Sequence, residues 1–125
     1  MNSEELQLLP IQHGEAPISI AFRYLPPGKG KPVFVWFCGF KSNMESTKAE
    51  ALSGWARAQE AGCLRFDYSG HGRSGGRFEE GTISGWLEEA GAVCRAQLAN
   101  GQDAVFVGSS MGGWIAMLLA LRCLY

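Results

Sequence analysis

Residues 104–114 read AVFVGSSMGGW. Four residues of strand character run straight into Gly-Ser-Ser-Met-Gly, and a long apolar stretch of helical length follows. The pattern G-x-S-x-G falls on Gly108, Ser110 and Gly112. A serine in such a strand-to-helix turn has a strained backbone, and the residues two before and two after it must be small. The turn would set Ser110 Oγ above the C-terminal edge of a sheet and at the start of a helix. There the Met111 N–H and the helix dipole favour a developing oxyanion. The same residues also fit a plain Gly-Ser turn.

Buried strands and helices alternate upstream of that turn. VFVWFC at 33–38 is a continuous apolar run, as in a strand covered on both faces. Residues 46–61 suit a helix, with Ala49, Leu52, Trp55 and Ala56 on one side and Gly62 as its stop. CLRFDY at 63–68 is the next strand. Thr82 reads as an N-cap, followed by Ile83, Trp86, Leu87, Ala90, Val93 and Cys94 at helical spacing through about residue 99. Residues 104–107 form the last buried strand, and 111–124 a helix buried on most sides. Two further strands, 4–9 and 18–25, precede all of this and are joined through a turn near Gly14. The order β-β-β-α-β-α-β-α predicts an α/β fold, a mostly parallel, twisted sheet with helices on both faces.

Composition excludes several classes. The chain has 125 residues, 46% hydrophobic and 18% charged, with a net charge of −1. That is one small domain with no basic surface for nucleic acid or an anionic membrane. MNSEELQLLP carries acids and no apolar core, so it does not read as a signal peptide. The apolar run 104–125 is broken by Gly108, Gly112 and Gly113, so it does not read as a membrane span. Cys38, Cys63, Cys94 and Cys123 lack zinc spacing and read as buried free thiols, which suggests a reducing, cytoplasmic location. No metal or organic cofactor is implied.

Two loops complete the candidate site. CGFKSN at 38–43 follows a central strand, where the Phe40 N–H would be the second oxyanion donor and Gly39 would let the backbone come close. An ordinary strand-to-helix turn is the plainer alternative. DYSGHGRSGGRF at 67–78 places Gly70, Gly72 and Gly75 as G-x-G-x-x-G. A dinucleotide turn would open directly into a helix, whereas the next helix starts only near Thr82.

Together these pieces resemble the α/β-hydrolase family. Its members often carry a strand followed by D-Y-x-G-H-G-x-S, and here stand Asp67-Tyr68-Ser69-Gly70-His71-Gly72-Arg73-Ser74. FCGFKSNMES before this run and VGSSMGGW after it are similar to an esterase and acyl-protein thioesterase branch with bacterial serine hydrolases and a mitochondrial member. The resemblance implies Ser110 as nucleophile, Phe40 and Met111 as oxyanion donors, and His71 as a structural loop residue. It implies a small-molecule ester or thioester substrate. Many members have His-Gly before the oxyanion residue, where this chain has Cys38-Gly39.

The family's catalytic acid and histidine follow the serine in the chain. Residues 111–125, MGGWIAMLLALRCLY, hold no Asp, Glu or His. The expectation is that residues 1–125 form the N-terminal part of a single α/β-hydrolase domain, inactive alone. The resemblance also puts the strand order as first, second, fourth, third, fifth, which leaves residues 104–107 as an apolar edge open to self-association. The alternative is a non-catalytic fragment or pseudoenzyme that binds a partner through that edge.

Overall fold

The computed structural model describes residues 4–13 and 16–123. Five strands are present: β1 (Gln7–His13), β2 (Ala16–Leu25), β3 (Val33–Phe37), β4 (Gly62–Phe66) and β5 (Ala104–Gly108). Three helices accompany them: α1 (Thr47–Ala58), α2 (Ile83–Gln97) and α3 (Met111–Cys123). The strands form one sheet in the order β1-β2-β4-β3-β5, as the resemblance implied. The turn expected at Gly14 lies outside the described residues.

The sheet is mixed rather than mostly parallel. β3 pairs in parallel with β4 and with β5, as expected of strands that alternate with helices. β1 and β2 form an antiparallel hairpin, and β2 also meets β4 antiparallel. Pro10 sits on β1, which is an edge strand, where a missing N–H is harmless.

The crossover from β3 to β4 and the crossover from β4 to β5 run in opposite directions along the sheet. Right-handed connections therefore place α1 on one face and α2 on the other. α3 packs on α2 and on β5 and β3. The main core lies between α2, α3 and the sheet, with Val35, Phe37, Phe66, Ala90, Val93 and Ile115 wholly enclosed.

Local chemistry explains the helix starts. Ser46 Oγ accepts from the Ala49 N–H and Thr82 Oγ1 from the Gly85 N–H, each satisfying a donor that a first turn leaves orphaned. On α1 the inward face is Ala49, Ser53 and Ala56. Trp55, expected on that side, is half exposed and lies edge-on to Phe34 at 5.0 Å. Ser53 faces inward because its hydroxyl donates to the Glu4 carboxylate at 2.7–2.8 Å.

Two apolar segments are less covered than their composition predicts. β5 is exposed or half-buried throughout, since β3 is its single strand neighbour among the described residues. On α3, Gly112, Ile115, Ala116 and Leu119 are buried, while Trp114, Met117 and Leu121 are exposed. Cys123 is exposed as well, whereas Cys38, Cys63 and Cys94 are buried free thiols. No helix among the described residues is long and apolar enough to cross a membrane.

Candidate active site

β5 ends at Gly108 and α3 begins at Met111, so two residues turn the chain from strand to helix. Ser110 has φ of 56°, a left-handed conformation that costs a residue with a Cβ roughly 1–2 kcal/mol. The approach of strand and helix forces it. A Cβ on Gly112 would overlap the Phe37 carbonyl oxygen and lie 2.7 Å from that of Cys38. A Cβ on Gly108 would lie 2.6 Å from the carbonyl carbon of Gly112. Main chain therefore meets main chain at the ends of β3 and β5, and only glycine fits at either position. Ser110 is exposed at this crossing.

The register of β3 with β5 pairs Phe37 with Gly108, so both strands end at the same level. That brings Gly39 of the loop after β3 beside Ser109. At Gly39 a Cβ would rest 3.6 Å from the Ser109 carbonyl oxygen, an ordinary contact. The tightest main-chain approaches of this crossing lie at Gly108 and Gly112. Neither the Phe40 nor the Met111 main-chain N–H has a hydrogen-bond partner among the described residues. A hollow of about 300 Å³ lined by Gly39, Ser42, Ser46 and Ser109 lies alongside.

The loop after β3 is anchored from the β4 side. Asp67 Oδ1 accepts from the Met44 N–H at 2.8 Å and Oδ2 from the Arg73 N–H at 2.9 Å. Burial raises the Asp67 carboxyl above its ordinary value, with those two donors opposing it. Gly72, at φ of 48°, passes so close to Asp67 that any Cβ there would overlap the carboxylate. His71 is buried, with Nε2 3.1 Å from the Lys41 nitrogen and Nδ1 3.0 Å from the Ser69 carbonyl oxygen. Both ring nitrogens are therefore engaged in holding loops.

Other candidates fall away from the site. Burial, helped by the Asp67 charge, pushes the Cys38 thiol up to about 12, and its S–H faces the Phe66 carbonyl oxygen at 3.4 Å. A thiol held protonated is a poor nucleophile. Asp103 stands just before β5, at the end opposite Ser110. His13 ends β1. The glycine-rich loop runs into a 3₁₀ turn at Phe78–Glu80 before α2 opens at Ile83, unlike a dinucleotide turn.

Three buried charged residues were not read from the sequence. Glu89 is wholly enclosed on α2 and accepts from the Ser69 N–H at 2.8 Å and its hydroxyl at 2.6 Å, steadying the loop that carries His71. Its helical position, three beyond Trp86 and four before Val93, was the available clue. Glu4 and Arg65 are paired at 2.9 Å beneath α1, and Arg65 Nη1 also donates to the Met44 carbonyl at 2.8 Å.

The family model for the alpha/beta hydrolase family matches residues 35–125. The palmitoyl-protein thioesterase ABHD10 of Homo sapiens, named as mitochondrial, is 38% identical over 94 residues, covering 74% of this chain and 30% of that protein. A crystal structure of an Agrobacterium vitis S4 protein superposes with a TM-score of 0.90 at 42% identity, over 97% of this chain and 46% of that one. Mouse alpha/beta hydrolase domain-containing protein 10 superposes with a TM-score of 0.78 at 29% identity, over 93% and 44%. The chain thus spans about a third of the curated relatives' length.

The expected cytoplasmic location is contradicted by these relatives, which are named as mitochondrial. Unpaired thiols distinguish reducing from oxidising surroundings but not one reducing compartment from another. The match over residues 35–125, with 38% identity to a curated relative over 74% of this chain, carries the conclusion that this chain belongs to the alpha/beta hydrolase family.

Proposed function

We propose that Ser110 is the nucleophile of a serine hydrolase that cleaves a carboxylic ester or thioester through an acyl-enzyme. The observation that carries this reading is the left-handed Ser110 backbone, held between two glycines that admit no side chain. Such strain persists where the surrounding structure enforces it, and it gathers at reacting groups. Ser110 Oγ attacks the acyl carbonyl, and the carbonyl oxygen gains charge. The unpartnered N–H groups of Phe40 and Met111, with the start of α3 behind Met111, are suited to receive that charge. Expulsion of the alcohol or thiol leaves the acyl group on Ser110, and water then releases it. The thioester alternative draws support from relatives named as palmitoyl-protein thioesterases.

A proton acceptor for Ser110 is required as well. His71 and Asp67 are committed to loop main chain, and residues 111–125 offer no candidate. We assign the base and its orienting acid to the part of the domain that the longer relatives possess and these 125 residues do not span. Treating the protein from its natural source with a fluorophosphonate and mapping the adduct by peptide mass tests the reading. An adduct on Ser110 is expected. A folded, unmodified protein, or an adduct elsewhere, would sink it.

A second reading concerns the open edge. β5 carries Val105 exposed, beside exposed Trp114, Met117 and Leu121 of α3. Among the described residues β3 is the one strand beside β5, and an apolar edge strand of this kind invites pairing with another copy. On this reading copies of the 125-residue chain pair at β5, and Val105→Lys in that chain is expected to weaken the pairing about tenfold or more, read as a lower weight-average mass in sedimentation at matched concentration. An unchanged mass would show that the edge is not the contact.

A further inference from the structure

We propose that His71, as the neutral ring protonated on Nδ1, is a positioning residue that fixes the direction of the Phe40 N–H. The inference deepens the proposed function and rests on it, since it gives the Phe40 amide a catalytic meaning. The hydrogen bonds decide the tautomer. A main-chain N–H can only donate, so the Lys41 nitrogen 3.1 Å from Nε2 requires an unprotonated Nε2. A carbonyl oxygen can only accept, so Ser69 O at 3.0 Å from Nδ1 requires hydrogen on Nδ1. One neutral ring form satisfies both.

The consequence for Phe40 follows from peptide planarity. The Phe40 carbonyl and the Lys41 N–H share one rigid plane, and the Gly39 carbonyl and the Phe40 N–H share the plane before it. His71 holds the first of these planes through Lys41. The Ser42 N–H holds the second by donating to Gly39 O at 3.1 Å. With both flanking planes fixed, the Phe40 N–H has one direction.

Lys41 itself has φ of 61°, a conformation a non-glycine residue adopts only when held there. The His71 ring is held in turn. Trp86, Phe78 and Tyr68 surround it edge-on, at centroid distances of 5.1, 5.3 and 5.8 Å. The Phe40 ring extends the same cluster, 5.2 Å from Phe78.

Two measurements on the full-length protein test the proposal. The first is ¹⁵N NMR of the histidine ring. A pyridine-type Nε2 with a scalar coupling to the Lys41 amide is expected. A ring protonated on Nε2, or no coupling, would overturn the lock. The second is the rate at which a fluorophosphonate modifies Ser110. His71→Phe keeps an aromatic ring and loses the acceptor, and is expected to lower the maximal modification rate about 10- to 100-fold, with half-saturation unchanged. His71→Gln, whose side-chain oxygen accepts from Lys41, is expected to recover most of that loss.

Equal rates for Phe and Gln variants would overturn the positioning role. A parent protein that never reacts at Ser110 refutes the nucleophile reading and the catalytic role of the lock together. In that case the ring spectrum still decides whether His71 anchors the loop.

Discussion

Gly112→Ala is expected to cost about 4 kcal/mol or more, enough to remove most of the native state of an ordinary domain. The added methyl would overlap the Phe37 carbonyl oxygen and crowd that of Cys38. Both atoms belong to the end of the central strand β3, so neither can rotate aside as a side-chain tip could. Relief requires α3 to lift from the sheet. That movement would separate Ile115, Ala116 and Leu119 from the core they fill. Far-UV circular dichroism during heating should show a melting transition displaced by well over ten degrees, or none.

Gly113 supplies the control one residue on. A Cβ there would lie 3.4 Å from the Gly108 carbonyl oxygen, ordinary contact, and alanine is the better helix former by about 1 kcal/mol. Gly113→Ala should therefore melt within a few degrees of the parent. Similar damage from both changes would mean that helix propensity or general crowding, rather than the strand-helix crossing, governs this turn.

The layout of the fold was legible because its chemistry is local. The period-two and period-3.6 patterns, the Thr82 cap and the Gly-Ser turn each act within a few residues, and each maps to an observed element. Element ends moved by up to four residues, as at β1 and α1, where pairing and packing rather than propensity decide the last turn. The exposure of β5 and of one side of α3 depends on what stands beside them. An apolar strand reads the same whether one neighbour or two are present.

At the site, the strained Ser110 and its paired glycines were legible because the G-x-S-x-G spacing encodes a close crossing. Nothing in Cys-Gly-Phe tells which main chain Gly39 faces, and a Cβ there would lie 3.6 Å from the Ser109 carbonyl oxygen. The anchors of the loop were harder to read. Asp67 and His71 each bind one main-chain group more than twenty residues away, at Met44 and Lys41, and such partners leave no spacing to detect. Arg65 stands in a run, CLRFDY, whose pattern says only that the strand is buried. Its partner Glu4 lies sixty-one positions away, before the first strand.

That pair is the basis of the second large effect. Arg65→Met is expected to destabilise the protein by about 3–5 kcal/mol at neutral pH, because it leaves a carboxylate buried with part of its compensation gone. Arg65 Nε and Nη2 bind Glu4 at 3.2 and 2.9 Å, while Nη1 serves Glu50 and the Met44 carbonyl. Burial raises the Glu4 carboxyl. Hydrogen bonds from Ser53 and Arg65 and the charges of Arg65 and Arg57 outweigh it, so Glu4 ends below its ordinary value of 4.5.

A depressed acid stabilises the fold fully above its unfolded value, and that contribution is lost as pH falls through the lower folded value. In the variant, burial is opposed by Ser53 and Arg57 without Arg65, and the carboxyl moves up. The stability gap between parent and variant should therefore narrow as pH falls through the variant's raised value and go on narrowing until the parent's depressed one is passed, below which Glu4 is neutral in both. Urea unfolding at pH 7 and pH 4 reads this directly. A double change, Glu4→Leu with Arg65→Met, removes the stranded charge and should regain part of the loss at pH 7. A gap that stays constant with pH, or a double variant no better than Arg65→Met alone, would mean that the arginine acts through Met44 and Glu50 rather than through Glu4.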